Sequence, residues 1–272
     1  MKKFLGLLGV AFAAAPALGA DIGVRQPPLF ALPAWNGCYV GVNLGGATGR
    51  DRDNWTGIAE TTGGVATPGG GVVFSGFAVG AGTVIPAAAD ASLSGSGVSG
   101  GGQIGCIVQS GVWVWGAEAD IQYTGLSGSR TATSVGTATI VPGQISESFS
   151  SHWLSTVRGR VGYATGPVLF YGTGGVAFAG VNFADQICFP TAGFPGCNAA
   201  SSNSTPVGFA VGGGIECAFA PSWSVRAEYL WVDLGTTSFD SSFSNQAFSL
   251  STITHNHHLT ENIGRLGLNL RF

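Results

Sequence analysis

Few residues of this chain could do chemistry, because only 9% of its 272 positions are charged. Six of them fall in three close pairs. Glu118 stands near Asp120, Arg158 near Arg160 and Arg226 near Glu228, with Glu216 and Arg265 single. A spacing of two puts side chains on one face of a β-strand. Carboxylates paired in this way could serve as general acid and base, or line an ion path. The competing reading is structural. Four acids match four arginines, buried charges persist only when paired, and the planar arginine fork can hold two carboxylate oxygens at once. The balance favours a structural charge network of Glu118, Asp120, Arg158, Arg160, Glu216, Arg226, Glu228 and Arg265 inside a closed sheet. In it Glu216 falls opposite Arg226, and Glu118 and Asp120 share a wall with Arg158 and Arg160.

Three histidines, His255, His257 and His258, have the density of a zinc or nickel site. No acidic or cysteine partner lies in the neighbourhood of their loop, so they read as a solvated loop and no metal site is expected. Cys188 and Cys197 stand in one polar stretch, close enough for a local disulfide worth about 2 to 3 kcal/mol in an oxidising compartment. Cys38, Cys106 and Cys217 fall on apolar faces and are expected to be unpaired. The run Gly172-Thr173-Gly174-Gly175 opens no helix and is not a phosphate loop. No Gly-x-Ser-x-Gly elbow occurs, and no Ser/His/Asp set assembles from local spacing. No cofactor is expected.

The elements that would carry these side chains alternate with period two. At the end of the chain Leu266, Leu268, Leu270 and Phe272 share one parity, and Arg265, Gly267, Asn269 and Arg271 the other. A last strand ending on an aromatic carboxy terminus is what outer-membrane barrels present to the machinery that inserts them, so Phe272 reads as an assembly signal. Eight strand-like segments follow from residue 34 onward, at 35–48, 98–109, 112–126, 150–163, 168–181, 206–219, 223–234 and 261–272. Short links at 110–111, 165–167 and 220–222 alternate with long ones, the asymmetry of periplasmic turns and outer loops. Trp113, Trp153, Trp223, Tyr123, Tyr163 and Tyr229 read as lipid-face or girdle aromatics. The expected fold is all-β: an eight-stranded antiparallel up-and-down transmembrane barrel whose last strand pairs with its first, with ionic partners inside and hydrocarbon outside. A weak repeat supports the hairpin as its unit, since residues 100–118 echo residues 212–228.

Composition agrees. Gly numbers 46 without a period of three, and seven Trp with 17 Phe argue against disorder. Residues 1–20 have the basic start, short apolar run and small-residue end of a signal peptide, cut after Ala20 or Gly19. Residues 21–33, with Pro27, Pro28 and Pro33, read as a periplasmic linker, leaving 34–272 as the barrel. Both lysines, Lys2 and Lys3, lie in the signal, so the remainder is acidic and nucleic acid is excluded as a partner.

Several stretches carry a resemblance: Gly37-Cys38-Tyr39-Val40-Gly41, Gly101-Gly102-Gln103-Ile104-Gly105, Gly116-Ala117-Glu118-Ala119-Asp120, Thr156-Val157-Arg158-Gly159-Arg160-Val161-Gly162-Tyr163, Tyr171-Gly172-Thr173-Gly174-Gly175, Ala227-Glu228-Tyr229-Leu230 and Asn269-Leu270-Arg271-Phe272. In order and nearly end to end, they resemble the RopB-type outer-membrane proteins of alpha-proteobacteria, among the wider OmpA-like and opacity-type barrels. The resemblance implies an eight-stranded barrel in the Gram-negative outer membrane and no enzyme activity. Cys38, Cys106 and Cys217 depart from it, standing where such proteins commonly carry aromatics, as does a long apolar first loop. The functional expectation is a structural or surface-interaction protein. The alternatives are a narrow porin and, third, a lipid-modifying or proteolytic barrel, which would cluster acids and histidines at the outer rim. Expected partners are outer-membrane lipid and lipopolysaccharide, the barrel-assembly machinery and other envelope proteins.

Overall fold

The computed structural model describes residues 35–59, 91–134, 143–189, 196–245 and 248–272. The expected signal peptide and linker lie outside the described residues, as does 60–90 of the apolar first loop. Nine strands follow in order: β1 (Gly37–Ala59), β2 (Ala91–Ser110), β3 (Trp113–Ser134), β4 (Gly143–Thr165), β5 (Val168–Phe189), β6 (Gly196–Ser204), β7 (Val207–Ala218), β8 (Trp223–Asn245) and β9 (Phe248–Arg271). Every pairing is antiparallel, and β9 ladders with both β8 and β1, so first and last strands close the ring. Both β6 and β7 pair with β5, end to end, so nine strands make a ring of eight. They part at Thr205 and Pro206, where proline has no N–H to give the ladder.

The facing follows the sequence pattern. On β9 Leu266, Leu268, Leu270 and Phe272 are exposed outward, while Arg265, Asn269 and Arg271 are buried inward. Val40, Val42 and Leu44 on β1, Trp115 and Ile121 on β3, Val157 and Val161 on β4 and Val225 on β8 face out in the same way. Two aromatic levels bound this apolar band. Trp113 is the register partner of Tyr163, with ring centroids 6.0 Å apart, and Tyr123 that of Trp153. The levels stand ten positions apart on each strand. At a rise of about 3.3 Å per residue and a tilt near 40°, that is about 25 Å, the height of a barrel's lipid-facing belt.

Above the belt the outward face becomes polar: Ser92, Ser94 and Ser96 on β2, Ser127, Ser129 and Thr131 on β3, Ser146 and Ser148 on β4, and Thr260, His258 and Asn256 on β9. The expected loops at 49–95, 127–149, 182–205 and 235–259 are therefore corrected, since strands continue well into each of them. Water bathes the outer face of this collar, so the apolar alternation vanishes while the backbone pairing does not. Bulges lie where belt meets collar, between Ser151 and Trp153 and between Asp233 and Thr236, where Gly235 has φ 68°. The first flips the parity of β4. It turns His152 to the outside.

The lumen is filled in layers rather than by charge alone. At the periplasmic end Trp35, Tyr39, Ile107, Val114, Leu169 and Tyr171 pack together. Tyr39 fits because Gly105 beside it has no side chain, and a Cβ there would stand 2.6 Å from the ring. Outside the charged level a second apolar layer includes Leu126, Leu154, Ala177, Leu230, Val232, Leu259 and Ile263. The expected ionic interior thus holds for one level of the lumen, between two apolar layers.

Candidate functional site

The eight predicted charges converge on one buried level of the lumen. Arg158, from β4, sits at its centre: Nη2 is 2.7 Å from Glu118 Oε1 and 2.7 Å from Asp120 Oδ2, and Nη1 is 3.2 Å from Glu228 Oε1. Arg265 from β9 closes the other side, 2.8 Å from Asp120 and 2.6 Å from Glu228. Arg226 pairs with Glu118, and Arg160 with Glu216. The first expected juxtaposition is met in register only. Glu216 and Arg226 are Cα partners on β7 and β8, but each takes its ion pair from across the lumen. The Arg160 guanidinium also lies 3.5 Å over the ring of Tyr171 on the adjoining strand β5. Asn43, Gln103 and Asn269 continue the network: Asn43 donates to Gln103 at 2.6 Å, Gln103 to Asn269 at 2.8 Å and Asn269 to Glu216 at 3.0 Å.

Trp35 was expected to begin the first strand. It lies instead just before β1, fully buried, as a stopper in the periplasmic mouth. Its backbone N–H donates to Gln109 Oε1 at 2.7 Å, and the Arg271 guanidinium stands 4.5 Å over its ring. Phe272 is exposed at the end of β9, and its N–H donates to the Cys38 carbonyl at 2.9 Å.

The cysteines divide differently from expectation. Cys188 and Cys197, register partners on β5 and β6, form a disulfide. Cys38 and Cys106 form another, correcting their reading as unpaired. They are direct cross-strand partners on β1 and β2, with Cα atoms 4.0 Å apart, a pairing that 68 residues of separation concealed. Among the described residues Cys217 is the free cysteine.

The largest correction concerns the histidines. His255 and His257 lie on the inward face of β9 within the collar, buried, and only His258 points outward. His257 Nδ1 is 2.7 Å from Asp51 Oδ2 of β1, and its Nε2 is 3.2 Å from Asp185 Oδ2 of β5. His255 Nδ1 stands 3.0 Å from the same Asp185 oxygen. Phe183 stacks on His257 at 4.3 Å, and Phe239 on His255 at 4.9 Å. The solvated loop of the sequence reading is thus the inner wall of a barrel, whose acidic partners come from strands far away in sequence. Glu147, register partner of Asp185, is buried beside them. Burial and the Asp185 charge push its carboxyl up to about 7. Burial alone would also raise Asp185, but the His255 and His257 imidazoles set against it hold it below the usual carboxylate range.

A closed antiparallel ring with a lipid-facing apolar belt about 25 Å tall and its ion pairs inside defines an integral outer-membrane β-barrel. The chain belongs to the family described as outer membrane protein beta-barrel domain, which matches residues 5–252. It is similar to the 31 kDa outer-membrane immunogenic protein of Brucella melitensis biotype 1, 29% identical over 292 residues and covering 100% of both chains. The 22 kDa outer membrane protein of Rhizobium leguminosarum bv. viciae is 28% identical over 174 residues, 63% of this chain and 66% of the relative. Among solved structures, the outer membrane protein OprG of Pseudomonas aeruginosa is similar with a TM-score of 0.45 and 11% sequence identity, over 89% of this chain and 99% of that one. The protein resides in the outer membrane of a Gram-negative cell.

Proposed function

We propose that the protein is a passive structural and surface-interaction barrel, which spans the outer membrane without conducting and holds a tall rigid collar outside it. One observation carries this reading: the lumen is occupied in succession by the Trp35 stopper, the Arg158-centred ion network and the apolar layer around Leu154 and Leu230. Such a stack leaves solutes no continuous polar path, and buried charges with their partners in place resist hydration. In this reading the eight charges hold the barrel together and catalyse nothing. Outward Arg50 and Arg52, just above the belt, suit the phosphates of lipopolysaccharide, and Phe272 the assembly machinery. The name of the Brucella relative fits a chain displayed at the cell surface. Purified protein in planar bilayers should give no steady conductance. Regular ohmic steps would overturn the plugged lumen and establish a narrow porin instead.

A further inference from the structure

The geometry points to a metal site in the collar: we infer that Asp185, His255 and His257 bind one divalent transition-metal ion of the zinc type, with Asp51 positioning His257 from behind. The three residues offer ligand atoms that all lie within 4.8 Å of one another, and all three are buried. Asp185 Oδ2 is 3.0 Å from His255 Nδ1 and 3.2 Å from His257 Nε2. A tetrahedral ion with bonds of about 2.0 to 2.1 Å separates its ligands by about 3.3 Å, so small side-chain adjustments admit it. Two imidazoles and a carboxylate suit zinc and its neighbours, whereas calcium and magnesium require oxygen ligands.

The hydrogen-bond logic points the same way. Asp51 accepts at 2.7 Å from His257 Nδ1, which therefore carries the ring hydrogen. The other ring nitrogen, Nε2, lies 3.2 Å from the Asp185 carboxylate, so His257 bridges two acids and a cation bound to Nε2 and Asp185 would take the place of the hydrogen between them. The Asp51 contact is the carboxylate support that orients most metal-bound histidines. Among the described residues Asp51 Oδ1 and Asp185 Oδ1 are buried without a hydrogen-bond partner, which leaves carboxylate oxygens at this level with acceptor capacity to spare. Phe183 and Phe239, stacked on the two imidazoles, fix their planes in advance.

The test is zinc titration of the tag-free, refolded full-length barrel by calorimetry near neutral pH, with cobalt absorption as the reporter of coordination geometry. Expected is one zinc per chain and a tetrahedral cobalt spectrum. His257→Ala and Asp185→Asn should each abolish both signals, and Asp51→Asn should weaken binding by about 10- to 100-fold. His258→Ala, on the outer surface, should leave binding unchanged. Heat-modifiable gel mobility identifies variants that have not folded, and His255→Ala gives a second, milder removal of a ligand. The proposal falls if wild-type protein binds zinc no more tightly than the His255→Ala/His257→Ala double variant. That outcome would mean that a second proton on His257 bridges the two carboxylates. It also falls if His258→Ala removes binding as fully as His257→Ala.

Discussion

Taking Arg226 out of the lumen would leave a buried carboxylate one partner short. Arg226→Met removes one arginine from Glu118 while Arg158 stays beside it, so the cost is at most about 3 to 5 kcal/mol, that of a buried charge left wholly unpaired. The expected result in denaturant unfolding from lipid or detergent is a loss within that bound. Glu118→Gln combined with Arg226→Met should cost clearly less than the two single losses together. Strict additivity would mean that the two do not act as a pair. The charged residues were legible in the sequence because strand spacing gave each its face. The pairing of Glu118 and Asp120 with Arg158 was legible too, but the partners of Glu216 and Arg226 were not, because a short hairpin suggests neighbours while a closed ring also offers the opposite wall. The same limit hid the metal-like cluster, since Asp51 lies 206 positions from His257 and Asp185 lies 72.

At the scale of elements, β9 carries the assembly argument. The Phe272 side chain is exposed and, among the described residues, its hydrogen bond is the one from its backbone N–H to Cys38, so its contribution to the folded barrel is small. Deleting Phe272 should leave a barrel that refolds in vitro and shifts mobility on boiling, yet lower its yield in the outer membrane severalfold. Equal yields would remove the terminus as an insertion signal. The β4 and β5 walls of the collar carry a pH dependence. With its carboxyl at about 7 in the fold, Glu147 favours the native state while protonated, and that contribution is lost as pH rises from about 4.5 to about 7. In chelator-treated protein, amide exchange of the collar should quicken over that window by an amount worth no more than about 2 kcal/mol, allowing for solvent screening. Glu147→Gln should flatten the response, and an unchanged slope would exclude Glu147 as its origin. Belt strands could be read from alternation. Collar strands could not, because serine and threonine on a wetted face leave no hydrophobic period, and the bulge at His152 breaks the count.

For the whole molecule, closure and the lipid-facing belt were legible because bilayer and water impose opposite chemistry on the two faces of every strand. The layering of the lumen was not, since Leu154 and Arg158 share one parity on β4, and Leu230 and Arg226 share one on β8. That layering predicts silence in the bilayer experiment, for the apolar storey would have to be rebuilt before ions could pass. The collar has a further result. From Tyr123 to the end of β3 at Ser134 the strand climbs about 25 to 30 Å more. The collar wall therefore rises beyond the apolar belt by about the belt's own height, so roughly half of such a strand lies outside the hydrocarbon.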